Sequence, residues 1–220
     1  MADQVLLVAA SGLAREVLAV LRTRGGFDVA GFLDDSAALQ GTTIDGVPVL
    51  GTIEEVRAHP WCDVLVCAGR GAAREAIVAR LDALEVSPAR YATVVHPSVD
   101  VPVGCEVGAG SIVLAGVVMT TSVTLGEHVV VMPNVTLTHD DVLQDYATVC
   151  AGVALGGGVV VGRAAYLGMS SSVREHTVVG PRATLGMGAV LLQDLPAGET
   201  WAGVPARALP AYDERKASLS

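Results

Sequence analysis

The chain has 220 residues, of which 51% are hydrophobic and only 4% aromatic, with 25 glycines and a net charge of −9. This composition predicts a core of Val, Leu, Ile and Ala with many tight turns, arranged as one large domain or two small ones. The acidic balance argues against a nucleic-acid-binding surface, and no apolar run reaches the roughly 18 residues needed for membrane insertion.

The first ninety residues alternate between strand and helix patterns. VLLVAA (5–10), DVAGFLDD (28–35) and CDVLVCAG (62–69) have the short apolar runs of strands, and segments 11–25, 52–59 and 74–86 have helical periodicity. Thr52, followed three residues later by Glu55, predicts a capping box at the start of the second helix. The alternation predicts a parallel sheet covered on both faces, with a ligand site at the carboxyl ends of its strands.

The remainder of the chain follows a different period. From Val101 to Leu191, sixteen successive positions spaced by six residues are all aliphatic or Met. Neither a helix, with its period of 3.6, nor a flat strand, with its period of 2, produces this spacing. A coil explains it, because each six-residue unit forms one face and three faces close one turn around inward-pointing aliphatic side chains.

The six-residue pattern resembles that of the hexapeptide-repeat acyltransferases. The resemblance implies a left-handed parallel β-helix, which departs from the usual right-handed crossover rule. The predicted fold class is therefore α/β plus all-β: a Rossmann-like domain over residues 1–95, a β-helix over 96–209, and a C-terminal tail over 210–220. The alternative that the repeat alone leaves open is a purely structural β-solenoid.

One stretch, THDD at 138–141, breaks the pattern of the coil. Leu137 is expected to point inward, which places His139 at a corner and Asp141 at an inward position that is otherwise small or aliphatic. Histidine can take a proton near neutral pH, a neighbouring carboxylate can orient its ring, and a backbone N–H can hold an oxyanion. The stretch therefore predicts an acyl-transfer site, although a loosened, solvated corner would also explain it.

The order of the motifs resembles that of one bacterial enzyme family. ASG near residue 11, FLDD at 32–35, HPS at 96–98, the His–Asp pair and AGVPAR at 202–207 are similar to the nucleotide-sugar N-acetyltransferases of the PglD, NeuD and PerB type. The resemblance implies transfer from acetyl-CoA to the amine of a nucleotide-linked amino sugar. The expected acceptor is a 4-amino-4,6-dideoxy sugar, GDP-perosamine-like or UDP-linked, destined for a surface glycan such as O antigen or lipopolysaccharide.

The same resemblance implies roles for individual residues and a homotrimer whose active site lies between adjacent prisms. His139 is expected to be the general base, Asp140 the acid that raises its basicity, and Gly157 the donor to the oxyanion. The other expected contacts are Ser11, Gly12, Leu13, Asp34 and Asp35 for the nucleotide sugar, and Thr148, Gly157, Met169 and Met187 for acetyl-CoA. The chain departs from the family in reading AASGLA rather than GASGHG at 9–14, so Leu13 lacks a ring that could contact phosphate or base.

Other patterns bear on alternatives. The four cysteines have no CxxC spacing, and the chain opens without a basic signal region, so free thiols and a cytoplasmic location are expected. His128, His139 and His176 have unequal coil offsets, so a shared three-histidine metal site is not expected. Arg163, Arg174, Arg182 and Arg207 could meet coenzyme A phosphates or be ordinary surface charge. Sugar O-acetylation and a non-catalytic trimeric scaffold that binds nucleotide sugars remain the alternative functions.

Overall fold

The computed structural model describes residues 3–24 and 27–209, so the tail expected at 210–220 lies outside the described residues. The elements in chain order are β1 (Asp3–Val8), α1 (Gly12–Arg24), β2 (Phe27–Leu33), β3 (Thr43–Ile44), β4 (Val47–Gly51), a 3₁₀ helix (Ile53–Ala58), β5 (Asp63–Val66), α2 (Gly71–Ala83), a second 3₁₀ helix (Pro88–Arg90), β6 (Val94–Val95), β7 (Glu106–Val107), β8 (Ile112–Val113), β9 (Val118–Met119), β10 (Thr124–Leu125), β11 (Val130–Val131), β12 (Thr136–Leu137), β13 (Val142–Leu143), β14 (Thr148–Val149), β15 (Ala154–Leu155), β16 (Val160–Val161), β17 (Tyr166–Leu167), β18 (Ser172–Val173), β19 (Val178–Val179), β20 (Thr184–Leu185), β21 (Val190–Leu191), β22 (Thr200–Ala202) and β23 (Arg207–Ala208).

The N-terminal part is a five-stranded sheet in the order β3-β4-β2-β1-β5. Strands β4, β2, β1 and β5 are parallel, and β3 adds an antiparallel edge. Val5 and Leu7 of β1 pack in one core with the apolar side of α1, whereas Leu6 and Val8 pack in another core with α2. Alternate β1 side chains thus enter two cores, and the predicted parallel sheet with both faces covered is confirmed.

Two local predictions for this part were wrong. The segment beginning at Thr52 is a 3₁₀ helix, and the Thr52 side chain makes no capping hydrogen bond, so there is no capping box. The segment is too short for the reciprocal geometry of an α-helical N-terminus to develop. The β3–β4 hairpin was not expected, because its turn, with Asp45 and Gly46 both at positive φ, lies in a stretch without a marked alternating pattern.

The C-terminal part is a three-sided parallel β-helix. The first face contains β7, β10, β13, β16 and β19; the second contains β6, β8, β11, β14, β17, β20, β22 and β23; the third contains β9, β12, β15, β18 and β21. Each strand pairs with the strand 18 residues away, as Leu125 does with Leu143. Fourteen of the sixteen predicted inward positions are buried, whereas Val101 and Val107, at the open start of the coil, are not.

The corners of the β-helix repeat as regularly as its faces. From Gly104 to Gly188, every sixth residue has a positive φ, including nine residues other than glycine. The domain corner joins the first and second faces (127–128, 145–146, 163–164), the methionine corner joins the second and third (133–134, 151–152, 169–170, 187–188), and the histidine corner joins the third and first (121–122, 139–140, 157–158, 175–176). Backbone hydrogen bonds link each corner to the next coil, as from Gly158 N to His139 O at 2.8 Å.

The N-terminal sheet lies against the second face and the domain corner. Ile112, Leu114 and Val130 of the second face share a core with α1, and Tyr146 of the domain corner shares one with α2. The histidine corner is the corner opposite the second face in a three-sided prism. Within one chain, the N-terminal sheet and the histidine corner are therefore on opposite sides of the β-helix.

Candidate active site

His139 and Asp140 form a hydrogen-bonded pair at the histidine corner. The His139 Nδ1 atom lies 2.8 Å from Asp140 Oδ2, and the two side chains are 58% and 67% exposed. Asp140 has a φ of +63°, a left-handed conformation that Asp and Asn adopt more readily than most residues, and its N–H donates to Thr121 O. With a proton on Nδ1 facing the carboxylate, the Nε2 atom is left with a lone pair and open to solvent, as a general base requires.

Gly157 lies directly under the His139 ring in the next coil. A Cβ atom built on Gly157 would be 2.2 Å from His139 Nε2 and 2.3 Å from Cε1. These distances are far below van der Waals contact, so the ring occupies the space that any side chain at residue 157 would need. The structure thus brings together three of the predicted catalytic residues, His139, Asp140 and Gly157.

Asp141 points the other way, into the coil, and is fully buried. Its Oδ2 accepts the Thr138 N–H at 2.8 Å, and its Oδ1 accepts the Val159 N–H at 2.9 Å. Burial raises the pKa of this carboxyl to about 6, although the two backbone hydrogen bonds oppose the rise. The inward position predicted for Asp141 is confirmed.

A cleft of about 360 Å³ lies between the two parts of the chain. Its N-terminal side is formed by Leu13 at the start of α1 and by Gly69 and Arg70 just before α2. The second face supplies the opposite wall: Val130, Met132, Thr148, Cys150 and Tyr166. The Arg70 guanidinium lies 4.2 Å from the centroid of the Tyr166 ring, which places a cation at the edge of a largely apolar cleft beside two helix N-termini. Such an arrangement suits a ligand with an anionic group and an apolar or sugar moiety.

The predicted nucleotide-contact residues occur along the carboxyl edge of the N-terminal sheet. Ser11 donates to Cys67 O at 2.6 Å, and Asp34 accepts N–H groups from Ala10 and Ser36, each at 2.8 Å. Asp35 pairs with Arg80 beside a second cleft of about 350 Å³. Nothing lies within 4 Å of a Cβ built on Gly12, so this residue faces open space. Leu13 lines the interdomain cleft, and Asp34 and Asp35 line the second one, so the five residues border two clefts.

The loop that carries Ser11 holds a strained alanine. Ala9 has a φ of +72°, and its carbonyl accepts the Ser11 N–H at 2.9 Å. A left-handed conformation favours glycine, and glycine is the residue that the resembling family often has at this place. The departure at residue 9 thus changes the side chain and leaves the turn conformation in place.

The predicted acetyl-CoA contacts fall in three different places. The Thr148 hydroxyl lies in the interdomain cleft, where it donates to Gly69 O at 3.0 Å and accepts from Arg74 at 2.9 Å. Gly157 is at the histidine corner. Met169 and Met187 are exposed and stacked at the methionine corner, where Gly188 N donates to Met169 O at 2.8 Å. One chain does not bring these four residues into one groove.

Sequence reasoning missed the residue that joins the two parts of the chain. Arg74 of α2 is fully buried and donates six hydrogen bonds: to the carbonyl oxygens of Ala68, Gly69, His128, Tyr146 and Ala147, and to the Thr148 hydroxyl. Burial lowers the pKa of its guanidinium to about 10. An arginine in an amphipathic helix is usually solvent-exposed, so the sequence around residue 74 offered no signal for this role.

Two of the basic residues considered for coenzyme A have other partners. Arg163 pairs with Glu75 of α2 at 2.9 Å and with Asp145 at 2.6 Å, and Arg182 also pairs with Glu75. These ion pairs fasten α2 to the domain corner. Arg174 and Arg207 remain candidates for anionic ligands.

The histidines are widely distributed, as their coil offsets indicated. His128 is buried between the rings of Tyr91 and Tyr146 at centroid distances of 4.6 and 5.2 Å, and burial lowers its pKa to about 4. Over residues 3–24 and 27–209, no three His, Cys, Asp or Glu side chains are grouped so that they could hold a metal ion. The four cysteines are free. In the same ranges, no helix has both the length and the apolarity needed to cross a bilayer.

Comparison with known proteins places both parts of the chain. The family model described as the PglD N-terminal domain matches residues 4–81. The acetyltransferase domain of PglB from Neisseria gonorrhoeae is 30% identical, with a TM-score of 0.86 over 94% of this chain and 100% of that one. PerB from Caulobacter crescentus, solved with CoA and GDP-perosamine, is 27% identical, with a TM-score of 0.86 over 94% of this chain and 98% of that one.

Further solved structures extend the comparison. WeeI from Acinetobacter baumannii is 25% identical, with a TM-score of 0.79 over 94% of this chain and 100% of that one. The PglB domain has also been solved with acetyl coenzyme A, and PerB with a histidine replaced by Asn or Ala and both of its ligands bound. No curated protein matches the sequence. These similarities span nearly the whole chain and confirm the predicted fold class, including the left-handed β-helix.

Proposed function

This chain belongs to the nucleotide-sugar N-acetyltransferases of the PglD and PerB type, and from that membership we propose that it moves the acetyl group of acetyl-CoA to the amine of a nucleotide-linked amino sugar. It is accordingly an acyltransferase that uses acetyl-CoA as co-substrate. The observation that carries the proposal is the 2.8 Å pairing of His139 Nδ1 with Asp140 Oδ2 above Gly157. The pair supplies a base in the place where the repeat departs from its pattern.

The proposed chemistry is a direct transfer. The sugar amine attacks the thioester carbonyl while His139 Nε2 takes the proton from the amine nitrogen. Asp140 keeps the ring in the tautomer with Nδ1 protonated and stabilises the imidazolium that forms. The Gly157 N–H donates to the oxyanion, the C–S bond then breaks, and the coenzyme A thiolate leaves and is protonated.

Replacement of His139 tests the role of the base. His139→Asn should lower kcat by about 100-fold or more while acetyl-CoA affinity changes little, because the ring acts on the proton and not on the coenzyme. We take the histidine replaced in the ligand-bound PerB structures to be the counterpart of His139, which supports retained binding. Unchanged turnover in the variant would remove the base assignment.

The positions of the clefts support a site shared between subunits of a homotrimer. The clefts at the N-terminal sheet border the second face and the strand ends, whereas His139 lies at the opposite corner of the prism. A nucleotide sugar held by Leu13, Asp34 and Asp35 therefore reaches His139 of an adjacent prism more easily than its own. By the same reasoning, acetyl-CoA would lie in a groove between Gly157 of one subunit and the exposed methionine corner of the next.

Mixed oligomers test the shared site. Gly12→Glu adds a carboxylate in open space beside the expected phosphate position, so it should abolish nucleotide-sugar binding without disturbing the fold. Assembly of this variant with His139→Asn in equal amounts should restore about a quarter of wild-type activity, because about one interface in four then combines two intact contributions. Mixtures as inactive as either parent would place the whole site within one chain.

The acceptor, pathway and location are the finer parts of the proposal. GDP-perosamine, bound by PerB, carries a 4-amino-4,6-dideoxy sugar, and it supports an acceptor of this kind, linked to GDP or UDP, for a surface glycan. A cytoplasmic location fits the four free cysteines. Thiol release from acetyl-CoA should be measured with UDP- and GDP-linked 4-amino sugars and their 4-hydroxy counterparts, with a blank for the protein's own thiols. Release with the hydroxy sugars alone would convert the proposal to O-acetylation, and no release with any sugar would reject it.

A further inference from the structure

Asp141 occupies a place in the coil where no other ionisable side chain stands. The equivalent inward positions, spaced by six residues from Ser111 to Ala189, hold only Ser, Thr, Ala or Val apart from this one. The side chain is fully buried. A carboxylate in such a place is costly unless it makes hydrogen bonds that the fold needs, and its presence beside His139 calls for a physical reason.

The two hydrogen bonds of the carboxylate join the two segments that form the catalytic corner. One oxygen accepts the N–H of Thr138, the residue before His139, at 2.8 Å. The other accepts the N–H of Val159, two residues after Gly157, at 2.9 Å. Asp141 is thus a bridge between the turn that carries the base and the turn that lies under its ring.

Ser111 shows what a neutral residue does at the equivalent position. Its hydroxyl accepts the N–H of Val129, 18 residues further on, at 2.9 Å and donates to Gly126 O at 2.9 Å. A single oxygen therefore suffices to link neighbouring coils. The second oxygen of Asp141 adds the bond to Thr138, and the turn thus held is the one that carries the base.

We propose that Asp141 is a positioning residue, whose buried carboxylate holds the backbone on both sides of His139 and Gly157 so that the imidazole keeps its place. This inference rests on the proposed role of His139 as the base. The side chain of Asp141 points into the coil, so it acts through the turn and not on the substrate. A displacement of the base by about 1 Å can cost about 100-fold in rate, which is why a second anchor on this turn matters.

The charge of the carboxylate gives the device a pH dependence. Its titratable neighbours are His139 and Asp140 in its own turn, while Val123 and Val159, stacked in the adjacent coils, are aliphatic. Protonation places a hydroxyl against a backbone N–H and weakens one of the two bonds. As pH falls below about 6, wild-type kcat should therefore decline through two ionisations, that of His139 and that of Asp141.

Asp141→Ser is the decisive variant, because it recreates the Ser111 arrangement. The serine hydroxyl can accept from Val159 N but cannot also accept from Thr138 N. We expect kcat to fall about 10-fold with both KM values changed less than about 2-fold, and the acid limb of log kcat against pH to change from a slope approaching 2 to a slope of 1. The matched control is Ser111→Ala, which removes a comparable inter-coil bond far from His139 and should alter thermal stability but not kcat. Asp141→Asn, which keeps the size but turns one acceptor into a donor, should lower kcat at least as much.

A readout without substrate separates this inference from the proposed reaction. The ring signal of His139, assigned by its loss in His139→Asn, should change its NMR titration midpoint or broaden in Asp141→Ser and not in Ser111→Ala. If wild-type protein turns over no sugar, the proposed function fails while this spectrum still tests the anchor. A folded Asp141→Ser protein with wild-type kcat, or without turnover in wild type an unchanged His139 signal, would overturn the inference.

Discussion

The contact between Gly157 and His139 makes Gly157→Ala a sharp test of the candidate active site. The added Cβ would lie 2.2 Å from His139 Nε2, 2.3 Å from Cε1 and 2.9 Å from Cδ2. Ordinary contact begins at about 3.4 Å, so the ring must move away by roughly 1.2 Å. The Gly157 N–H remains in place, so the variant displaces the base without removing the proposed donor to the oxyanion.

The expected effect is large on turnover and small on stability. A shift of the base by about 1 Å corresponds to a loss of about 100-fold in kcat. The side chain of His139 is 58% exposed and can swing outward, so only a surface ion pair worth about 0.5 kcal/mol is at stake in the fold. The equivalent residues six positions before and after are Ala151 and Arg163, so the backbone accepts a side chain here without strain.

Thiol-release kinetics and urea unfolding together measure the two effects. We expect kcat to fall about 100-fold with acetyl-CoA affinity retained and the free energy of unfolding within about 1 kcal/mol of wild type. A double variant, His139→Ala with Gly157→Ala, should show no further loss relative to His139→Ala, because the clash is gone. Full activity in Gly157→Ala with a normal fold would refute the placement of the ring and with it the geometry of the pair.

Two further predictions concern the junction between the sheet and the β-helix. Arg74→Lys keeps the charge but offers three donors in place of the six hydrogen bonds now made, so the free energy of unfolding should fall by about 2–4 kcal/mol in urea titrations, whereas a wild-type value would show that the buried cation contributes little. The folded-state pKa of His128 is lowered to about 4 from an ordinary 6.5, so its contribution to stability is complete above pH 6.5 and is lost as pH falls towards 4. Asp141, with its raised pKa, acts in the opposite direction, so the measured quantity should be the difference in unfolding free energy between wild type and His128→Asn, which should shrink by up to about 1.4 kcal/mol per pH unit below pH 6 and would stay constant if His128 does not titrate.

The sequence was sufficient for the fold because both parts are governed by short-range rules. A six-residue period over sixteen positions leaves few arrangements other than a coil, and its strands end at the predicted inward residues. The strand–helix alternation similarly led to the parallel sheet. What the patterns did not predict was local or non-periodic: the 3₁₀ helix after Thr52, the β3–β4 hairpin and the buried Arg74, whose acceptors come from residues up to 74 positions away.

The candidate site was predictable only where it follows the repeat. His139, Asp140 and Asp141 were conspicuous as breaks in a regular pattern, and the structure places the first two in contact. The residues expected to hold acetyl-CoA were taken from a family resemblance, and a single chain distributes them over the second face and two corners. Sequence resemblance identifies residues that share a ligand but does not say which subunit supplies each of them.

The pairing of His139 with Gly157 was nevertheless present in the sequence, in a form that spacing along the chain does not reveal. Among the corner positions spaced by six residues from Val103 to Met187, Gly157 is the only glycine. It stands 18 residues after His139, which is one full coil, and the residue beneath a large ring in a stacked coil must be small. In a coil of this kind, a lone small residue one turn beyond a polar corner therefore indicates a side chain that folds over it. The same comparison by coils identifies Asp141 as the one ionisable inward residue, so the base and its anchor are both found by comparing positions 18 residues apart.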